Sequence, residues 1–252
     1  MSEIIRYRFV LERLFFRDLK SIIGYGVGDY IAHFLKPFFL AIIIAFVRSK
    51  VSKVDIISAY VTVYYGILVW WLFADTVKAS IGIFRKNRSI ITKIYLPKII
   101  LVTSSFWARV AAISLQAMAG VFFLPIVRPE FMTLAIASIF TVLCTILCFN
   151  LCIGISYLAL RFRAIRTITE FLLFSLFFTM PVTFDTYVLG QNQTLYYAIN
   201  PIGAAIDIVK NALLGRPQDN FIAALSITSW CALSFLIVPF FQKNIDRTVE
   251  TI

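Results

Sequence analysis

Long apolar stretches separated by short polar segments dominate the chain from residue 31 onward. Six of these stretches approach or exceed the roughly 20 residues that a helix needs to cross the hydrocarbon core of a bilayer. The six predicted membrane spans are residues 31–48, 58–82, 99–125, 131–158, 167–184 and 219–241. This pattern predicts an all-α polytopic membrane protein, with residues 1–252 forming a single transmembrane domain.

Residues 6–20 alternate apolar and basic positions and are too polar to cross a membrane. Val10, Leu11, Leu14 and Phe15 fall near one helical face, and the basic side chains fall largely on others. This arrangement is typical of an amphipathic helix that lies in the membrane surface. The GYGVG segment that follows predicts a flexible joint to the first span rather than a phosphate loop, because no strand precedes it.

Residues 185–216 are also too polar for a simple span, yet they contain apolar pieces. Asn200 and Pro201 interrupt these pieces, and Gly215 ends them. The pattern predicts an outer re-entrant hairpin between the fifth and sixth spans, with two short helices hinged at Asn200 and Pro201. A simple external loop is the alternative interpretation.

Basic residues are concentrated in alternate connecting segments. Fifteen Lys and Arg residues lie before the first span, between the second and third, between the fourth and fifth, and after the sixth, against six in the opposite loops. Because such an excess marks the cytoplasmic side, both termini are predicted to be cytoplasmic. The segment from Arg48 to Lys53 is the exception to this distribution.

The composition agrees with the membrane prediction and affects how the high positive net charge is interpreted. The chain is 60% hydrophobic and only 15% charged, and its mean hydropathy is +0.87. A net charge of +11 would favour nucleic acid as the partner of a soluble protein, but here the basic residues border apolar spans. We therefore expect no nucleic-acid partner. The charged N-terminus does not resemble a signal peptide.

No pattern typical of catalysis or of metal binding is found. The sequence lacks a G-x-x-x-x-G-K-[ST] phosphate loop, an H-E-x-x-H motif, a G-x-S-x-G motif and a close carboxylate pair beside a span. Cys144, Cys148 and Cys152 share one helical face and are interpreted as packing residues, and His33 is interpreted as interfacial. We expect no catalytic residue, cofactor or metal site in this chain.

Ionisable residues within apolar segments suggest structural or functional pairing. Asp75 and Lys78 are three residues apart, as are Asp207 and Lys210, so each pair can meet on one helical face. A series of carboxylates suited to proton relay is missing from the spans. This absence argues against a proton-coupled carrier without excluding one.

Two aromatic faces suggest a path for a carbohydrate polymer. Aromatic rings can stack on sugar rings without demanding a fixed register, although they also face lipid or pack between helices. The residues of this predicted path are Tyr60, Tyr64 and Trp71 on the second span and Phe171, Phe174 and Phe178 on the fifth.

The basic segment between the second and third spans combines charge with an apolar face. As a helix over 84–96, it places Phe84, Ile91 and Tyr95 on one side and Arg85 largely elsewhere. A topological anchor needs the charges but not this face, so the pattern predicts a surface on which a second protein docks. Pro97 stops the helix where the third span begins.

Several of these segments, in this order, resemble the membrane subunit of type-2 ATP-binding-cassette exporters. They are LFFRDLK (14–20), GILVWWLFADTVKASIGIFRKNRSIITKIYLPKIIL (66–101), LRFRAI (160–165), the Met180-Pro181-Val182 turn and INPIGAAIDIVKNALLG (199–215). Within that family the chain is most similar to permeases that export O-antigen, capsular and teichoic acid polysaccharides. Ala164 stands where the family usually has Asp, and SIIGYGVG replaces a segment that usually contains Arg-Tyr.

The resemblance implies a set of roles and partners. It implies an interfacial helix at 6–20, a cytoplasmic coupling helix at 84–96, and a bacterial inner (cytoplasmic) membrane location. The implied partners are two copies of a separate ATPase subunit that binds ATP and Mg, a second copy of this chain, the lipid-linked polysaccharide and membrane lipids. The residues that would contact the ATPase are Phe84, Arg85, Asn87, Arg88, Ile91, Arg161 and Arg163.

Three other functions remain open on the sequence. An exporter of small lipids or drugs from the same family is the nearest alternative. An ion-coupled flippase for lipid-linked glycans would need ion-coupling residues within the membrane. A membrane-embedded transferase would need a catalytic His or carboxylate cluster, which the sequence does not display.

Overall fold

The computed structural model describes residues 7–93, 96–123, 131–162, 164–215 and 221–249, and every regular element in those ranges is helical. Two 3₁₀ helices, Val121–Phe123 and Thr186–Asn192, accompany the α-helices. The α-helices are α1, Arg8–Ile23; α2, Val27–Ser52; α3, Ile56–Lys86; α4, Arg88–Ile91; α5, Lys98–Gly120; α6, Phe131–Arg161; α7, Ile165–Phe178; α8, Gln193–Ile199; α9, Pro201–Leu213; and α10, Phe221–Val249.

Five of these helices are long and apolar enough to cross a membrane. They are Val27–Val51 of α2, Ile56–Lys86, Lys98–Gly120, Phe131–Arg161 and Phe221–Gln242 of α10. They coincide with the first, second, third, fourth and sixth predicted spans. The prediction of an all-α fold is therefore confirmed for the described residues, and the five long apolar helices agree with a multi-pass membrane protein.

The fifth predicted span, 167–184, coincides with a shorter helix. Helix α7 has 14 residues, which corresponds to about 21 Å at 1.5 Å per residue, against a hydrocarbon core of roughly 30 Å. The helix ends at Phe178 because Pro181 cannot donate a backbone hydrogen bond and disfavours helical geometry at Met180. The count of six complete spans therefore stays a prediction.

Helix α3 lies at the centre of the bundle. In its most apolar window 61% of the residues are buried, against 22% for α2. It packs against α2, α5, α6 and α9. A Cβ at Gly66 would lie 3.2 Å from Val182 and 3.3 Å from Ile206, which shows how closely the segment after α7 and helix α9 approach α3.

Helix α1 packs along α5 and buries one side of itself. Leu14 and Ile23 are buried, Leu11 and Phe15 are half-buried, and Val10 is exposed. A turn at Gly24, with a φ of 105°, separates α1 from α2. Asp29 closes this turn by accepting from the backbone N–H groups of Tyr25 and Gly26, both at 3.1 Å. Placement of α1 in the membrane surface stays a prediction, and Arg6 lies outside the described residues.

The segment predicted to be a re-entrant hairpin contains the 3₁₀ helix Thr186–Asn192 and then α8 and α9, which meet at Asn200. Its entry into the membrane from the outer side stays a prediction. The Asn200 side chain accepts from the backbone N–H of Gly203 at 2.9 Å, and Pro201 is the first residue of α9. Since a Pro at this position gives up only an N–H without a helical partner, the two residues together begin the second helix. Every residue of α9 from Ile202 to Leu213 is buried.

Candidate functional site

A strip of polar and aromatic side chains runs along one face of α3. Asp75, Lys78, Gly82 and Arg85 are all exposed, and Trp71 is half-buried. Their spacing of three or four residues places them on one side of the helix. Charged side chains facing hydrocarbon are costly, so this side needs water or another protein surface.

Helix α7 presents a matching strip beside α3. Arg166 and Glu170 form an exposed ion pair at 3.6 Å, and Phe174 and Phe178 continue the same face with their ring centroids 5.3 Å apart. The opposite side of α7 packs inward, where Phe177 lies 5.8 Å from Trp70 between ring centroids. The partner of Glu170, Arg166, lies one turn away on α7 itself.

The two strips meet at a cavity of about 440 Å³. Lys78 and Arg85 of α3, and Arg166 and Glu170 of α7, line it together with Ile81, Gly82, Ala159 and Thr167. A second cavity of about 380 Å³ shares Ile81, Arg85 and Ala159 with the first and extends to Arg88 and Ile91. The two cavities therefore form one groove, which we call the basic groove.

The segment predicted as a coupling helix over 84–96 is not a single helix among its described residues. Phe84, Arg85 and Lys86 belong to the last turn of α3, Asn87 interrupts the helix, and α4 comprises only Arg88–Ile91. Residues 94 and 95 lie outside the described residues. We call residues 87–93 the coupling turn.

The side chains predicted to contact an ATPase divide into surface and interior groups. Arg85 and Arg88 are exposed, and Ile91 is half-buried. Phe84 and Asn87 are only 6% and 2% exposed, so they support the turn from within and present little surface to a second chain. Arg161 is exposed and donates to the Tyr157 hydroxyl at 3.3 Å. Arg163 lies outside the described residues.

Helix α1 is fastened to the coupling turn through Asn87. The Arg17 guanidinium donates to the Asn87 side-chain oxygen at 2.8 Å and to Asp18 at 2.9 Å. Lys86 lies 3.6 Å from the same Asp18 oxygen, and the Asn87 amide donates to the Ile83 carbonyl at 2.8 Å. Asp18 is itself buried. We call Arg17, Asp18, Lys86 and Asn87 the latch.

The aromatic side chains predicted to form a substrate path do not share one environment. Tyr64 is 1% exposed and donates through its hydroxyl to the Gln116 carbonyl at 2.7 Å, so it belongs to the core. Tyr60 stacks beside it and is half-buried. Phe171, Phe174 and Phe178 are exposed. Phe174 and Phe178 continue the face of α7 that carries Arg166 and Glu170, whereas Tyr64 lies inside the protein.

Four buried charged residues join the end of α2 to the segment that follows α7 and to α9. Arg48 pairs with Asp185, and Lys210 lies 3.1 Å from Asp185 and 2.7 Å from Asp207. None of the four is more than 4% exposed. Thr186 and Tyr197 donate to Asp207 as well. The charges balance, and we call these four residues the buried ion network.

Sequence reasoning found only one pair of this network, Asp207 and Lys210. The sequence places Arg48 at the end of the first predicted span, in the segment that is the exception to the distribution of basic residues. In the structure it is a buried residue of α2 whose partner lies 137 residues away. Arg48 and Lys210 thus each pair with buried carboxylates inside the protein. Two of the six basic residues counted on the predicted outer side are therefore not surface charges of a loop.

The other predicted pair, Asp75 and Lys78, is not among the ion pairs of the described residues. Arg109 donates instead to the backbone carbonyl of Asp75 at 3.1 Å, and it also binds the carbonyl and hydroxyl of Ser105. The Asp75 and Lys78 side chains therefore remain on the exposed strip.

Comparisons with models of protein families and with curated proteins found no match for this chain.

Proposed function

We propose that this chain is the transmembrane subunit of an ATP-driven exporter of a lipid-linked polysaccharide. The cargo we propose first is O-antigen, followed by capsular or teichoic acid polymer, and the membrane is the bacterial cytoplasmic membrane. Two observations support the proposal: the order of sequence segments that resembles this family, and the exposed strip on α3 and α7.

The strip is the observation that carries the transport proposal. It runs from the basic groove at Lys78 and Arg85 to the exposed rings of Phe174 and Phe178. A single chain leaves it open on one side. A second copy that covers this side would enclose a path with charged groups at one end and aromatic surfaces along it. Aromatic surfaces that tolerate any register suit a repeating polymer that slides.

The coupling turn would receive the work of ATP hydrolysis from a separate ATPase subunit. Arg85 is exposed in the last turn of α3, and Arg88 is exposed in α4, which follows directly. Helix α3 also carries the polar strip. A push on this end would therefore move the path itself. Coupling requires that the partner contact the turn differently in its two nucleotide states.

Charge reversal tests this proposal. The double variant Arg85→Glu, Arg88→Glu should prevent co-purification with the proposed ATPase subunit and abolish polysaccharide export. The matched control is Lys50→Glu, Lys53→Glu, which reverses two exposed charges near the other end of α3. Normal assembly and export in the first variant, or ATP hydrolysis by the purified chain alone, would contradict the proposal.

The buried ion network supports a second candidate, an ion-coupled flippase for lipid-linked glycans. Asp185 and Asp207 are buried beside two cations, and this is a type of site that proton- or ion-driven carriers use. The two proposals differ in energy source. Transport by the purified chain in vesicles that carry an ion gradient but no ATP would favour the flippase.

An exporter of small lipids or drugs remains the alternative within the same family. Such an exporter would also work as two copies of this chain with an ATPase subunit, but it would not need a path for a polymer. Export assays with glycans of increasing length separate the two, because only a polysaccharide exporter should retain its rate with long chains.

A further inference from the structure

We infer that the basic groove binds the phosphate group of a membrane lipid. Lys78, Arg85 and Arg166 contribute three cations to the first of its two cavities, and Glu170 contributes one carboxylate, which leaves a net charge of +2 there. Arg88 adds a further cation in the second cavity. All residues that line the groove belong to this chain, so the groove should bind lipid whether or not an ATPase is present.

The excess of positive charge selects an anionic ligand. Arg166 is already paired with Glu170 at 3.6 Å, whereas no ion pair of Lys78 or Arg85 occurs among the described residues. Two cations that extend from one face of α3 therefore remain available. A phosphate monoester or diphosphate carries about two negative charges near neutral pH, as the second pKa of roughly 6 for phosphorylated side chains illustrates.

The position of the groove selects a lipid as the carrier of that phosphate. Its walls contain Ile81 and Ala159 beside the cations, and the exposed Phe174 and Phe178 continue along α7 away from it. A ligand that enters sideways from the bilayer can place its phosphate among the cations and its hydrocarbon on the apolar walls. A free phosphate would use only the first of these contacts.

Gly82 keeps the groove open. A Cβ built at Gly82 would have no neighbouring atom within 4 Å, whereas a Cβ at Gly66 on the same helix would lie 3.2 Å from Val182. Because Gly82 lines the cavity, the Gly82→Leu variant would place an isobutyl group into it without changing any charge, and its Cβ would meet no neighbouring atom.

Lipid binding to the purified chain in detergent, measured by native mass spectrometry, tests the site. The probes are phosphatidic acid, a short polyprenyl diphosphate, phosphatidylcholine and inorganic pyrophosphate. We expect the first two to bind at least about tenfold more tightly than phosphatidylcholine, whose ammonium group cancels the charge of its phosphodiester, or than pyrophosphate, which has no hydrocarbon chain. Preference for phosphatidic acid would assign the site to a bulk phospholipid, and preference for the polyprenyl diphosphate to a glycan carrier. Pyrophosphate binding as tight as that of the lipids would overturn the lipid assignment.

Substitutions with opposite expected signs separate binding from a structural effect. Lys78→Gln and Arg85→Gln should each weaken binding of the anionic lipids by roughly three- to tenfold, because each removes a charge-assisted contact. Glu170→Gln should strengthen binding, since it frees Arg166. Gly82→Leu should abolish it at unchanged charge. A damaged fold would lower binding in all four variants, and that uniform result would overturn the inference.

Matched controls make the same kinds of substitution at positions outside the basic groove. Lys50→Gln neutralises an exposed lysine of α2, and Gly28→Leu fills another helical position with no neighbour within 4 Å. Neither residue lines the basic groove. Both variants should bind the anionic lipids like the unsubstituted chain, and an effect as large as those at Lys78 and Gly82 would overturn the site.

Discussion

At the scale of single residues, Gly203 shows how tightly the two helices of the hairpin segment approach each other. A Cβ at this position would lie 2.3 Å from the Tyr196 hydroxyl and 2.8 Å from the Asn200 amide nitrogen. The Tyr196 hydroxyl is fixed in turn because it donates to the Thr179 carbonyl at 2.7 Å. The φ of Gly203 is not positive, so its backbone conformation does not require glycine. The lack of space for a Cβ does.

Gly203→Ala should therefore destabilise the fold by about 1–3 kcal/mol, the usual cost of overpacking, measured as thermal unfolding in detergent. Gly82→Ala is the control, because it adds the same methyl group in open space and should be neutral or stabilising. Adding Tyr196→Phe to Gly203→Ala removes the clashing oxygen and should recover part of the loss. If Gly203→Ala changed the thermal stability no more than Gly82→Ala does, the lack of space at Gly203 would be contradicted.

The buried ion network makes a second prediction at this scale. Lys210→Met leaves Asp185 and Asp207 with Arg48 as their single cation, so we expect a loss of about 3–5 kcal/mol, typical of breaking a buried pair. The double variant Lys210→Met, Asp207→Asn restores charge balance and should be more stable than the single one. Lys50→Met, on the exposed side of the same region, should change stability by less than about 0.5 kcal/mol. Equal stability of the single and double variants would argue against charge balance as the cause.

At the scale of helices, the latch joins α1 to the coupling turn. Asn87→Ala removes the acceptor of Arg17 and leaves the Ile83 carbonyl without its side-chain donor. We expect a loss of about 1–3 kcal/mol and faster hydrogen exchange of the amides of residues 88–93. Arg13→Ala removes an exposed arginine one turn earlier on α1 and serves as the control. Unchanged exchange in Asn87→Ala would show that the latch does not hold the turn.

The sequence could predict the helices that depend on local pattern. Five apolar runs became long helices, and Asn200-Pro201 became the junction of two short ones, because apolar length and a capping residue act within a few positions. Contacts between distant segments carry no such pattern. Asn87 lies in the interior because Arg17, 70 residues earlier, covers it, and nothing in the basic segment itself indicates that α1 does so. Tyr64 and Phe174 each belong to a row of aromatic residues on one helical face, and the sequence pattern does not distinguish them. Tyr64 is buried because a distant segment, which includes Gln116, packs over it, whereas Phe174 is exposed.

At the scale of the whole molecule, orientation is a prediction that rests on the basic residues. The four native cysteines are buried, so an introduced cysteine can be the only reactive thiol for a membrane-impermeant maleimide. Lys53→Cys should react in intact cells, because the connection between α2 and α3 is predicted to face outward. Lys93→Cys, in the coupling turn, should react only after the membrane is permeabilised. The reverse result would invert the orientation and place the coupling turn where no cytoplasmic ATPase could reach it.

The same assay decides whether α7 and the residues after it complete a sixth span. Tyr187 is 57% exposed and follows the buried Asp185 and Thr186. If the segment 165–185 crosses the membrane despite the short helix, Tyr187→Cys should react from outside, like Lys53→Cys. Five crossings would instead put Tyr187 and Lys53 on opposite sides. However, Arg48 lies five residues before Lys53 and pairs with Asp185, two residues before Tyr187. This pair brings the two positions close together, so we expect both to react from outside, and reaction of Tyr187→Cys only after permeabilisation would exclude six spans.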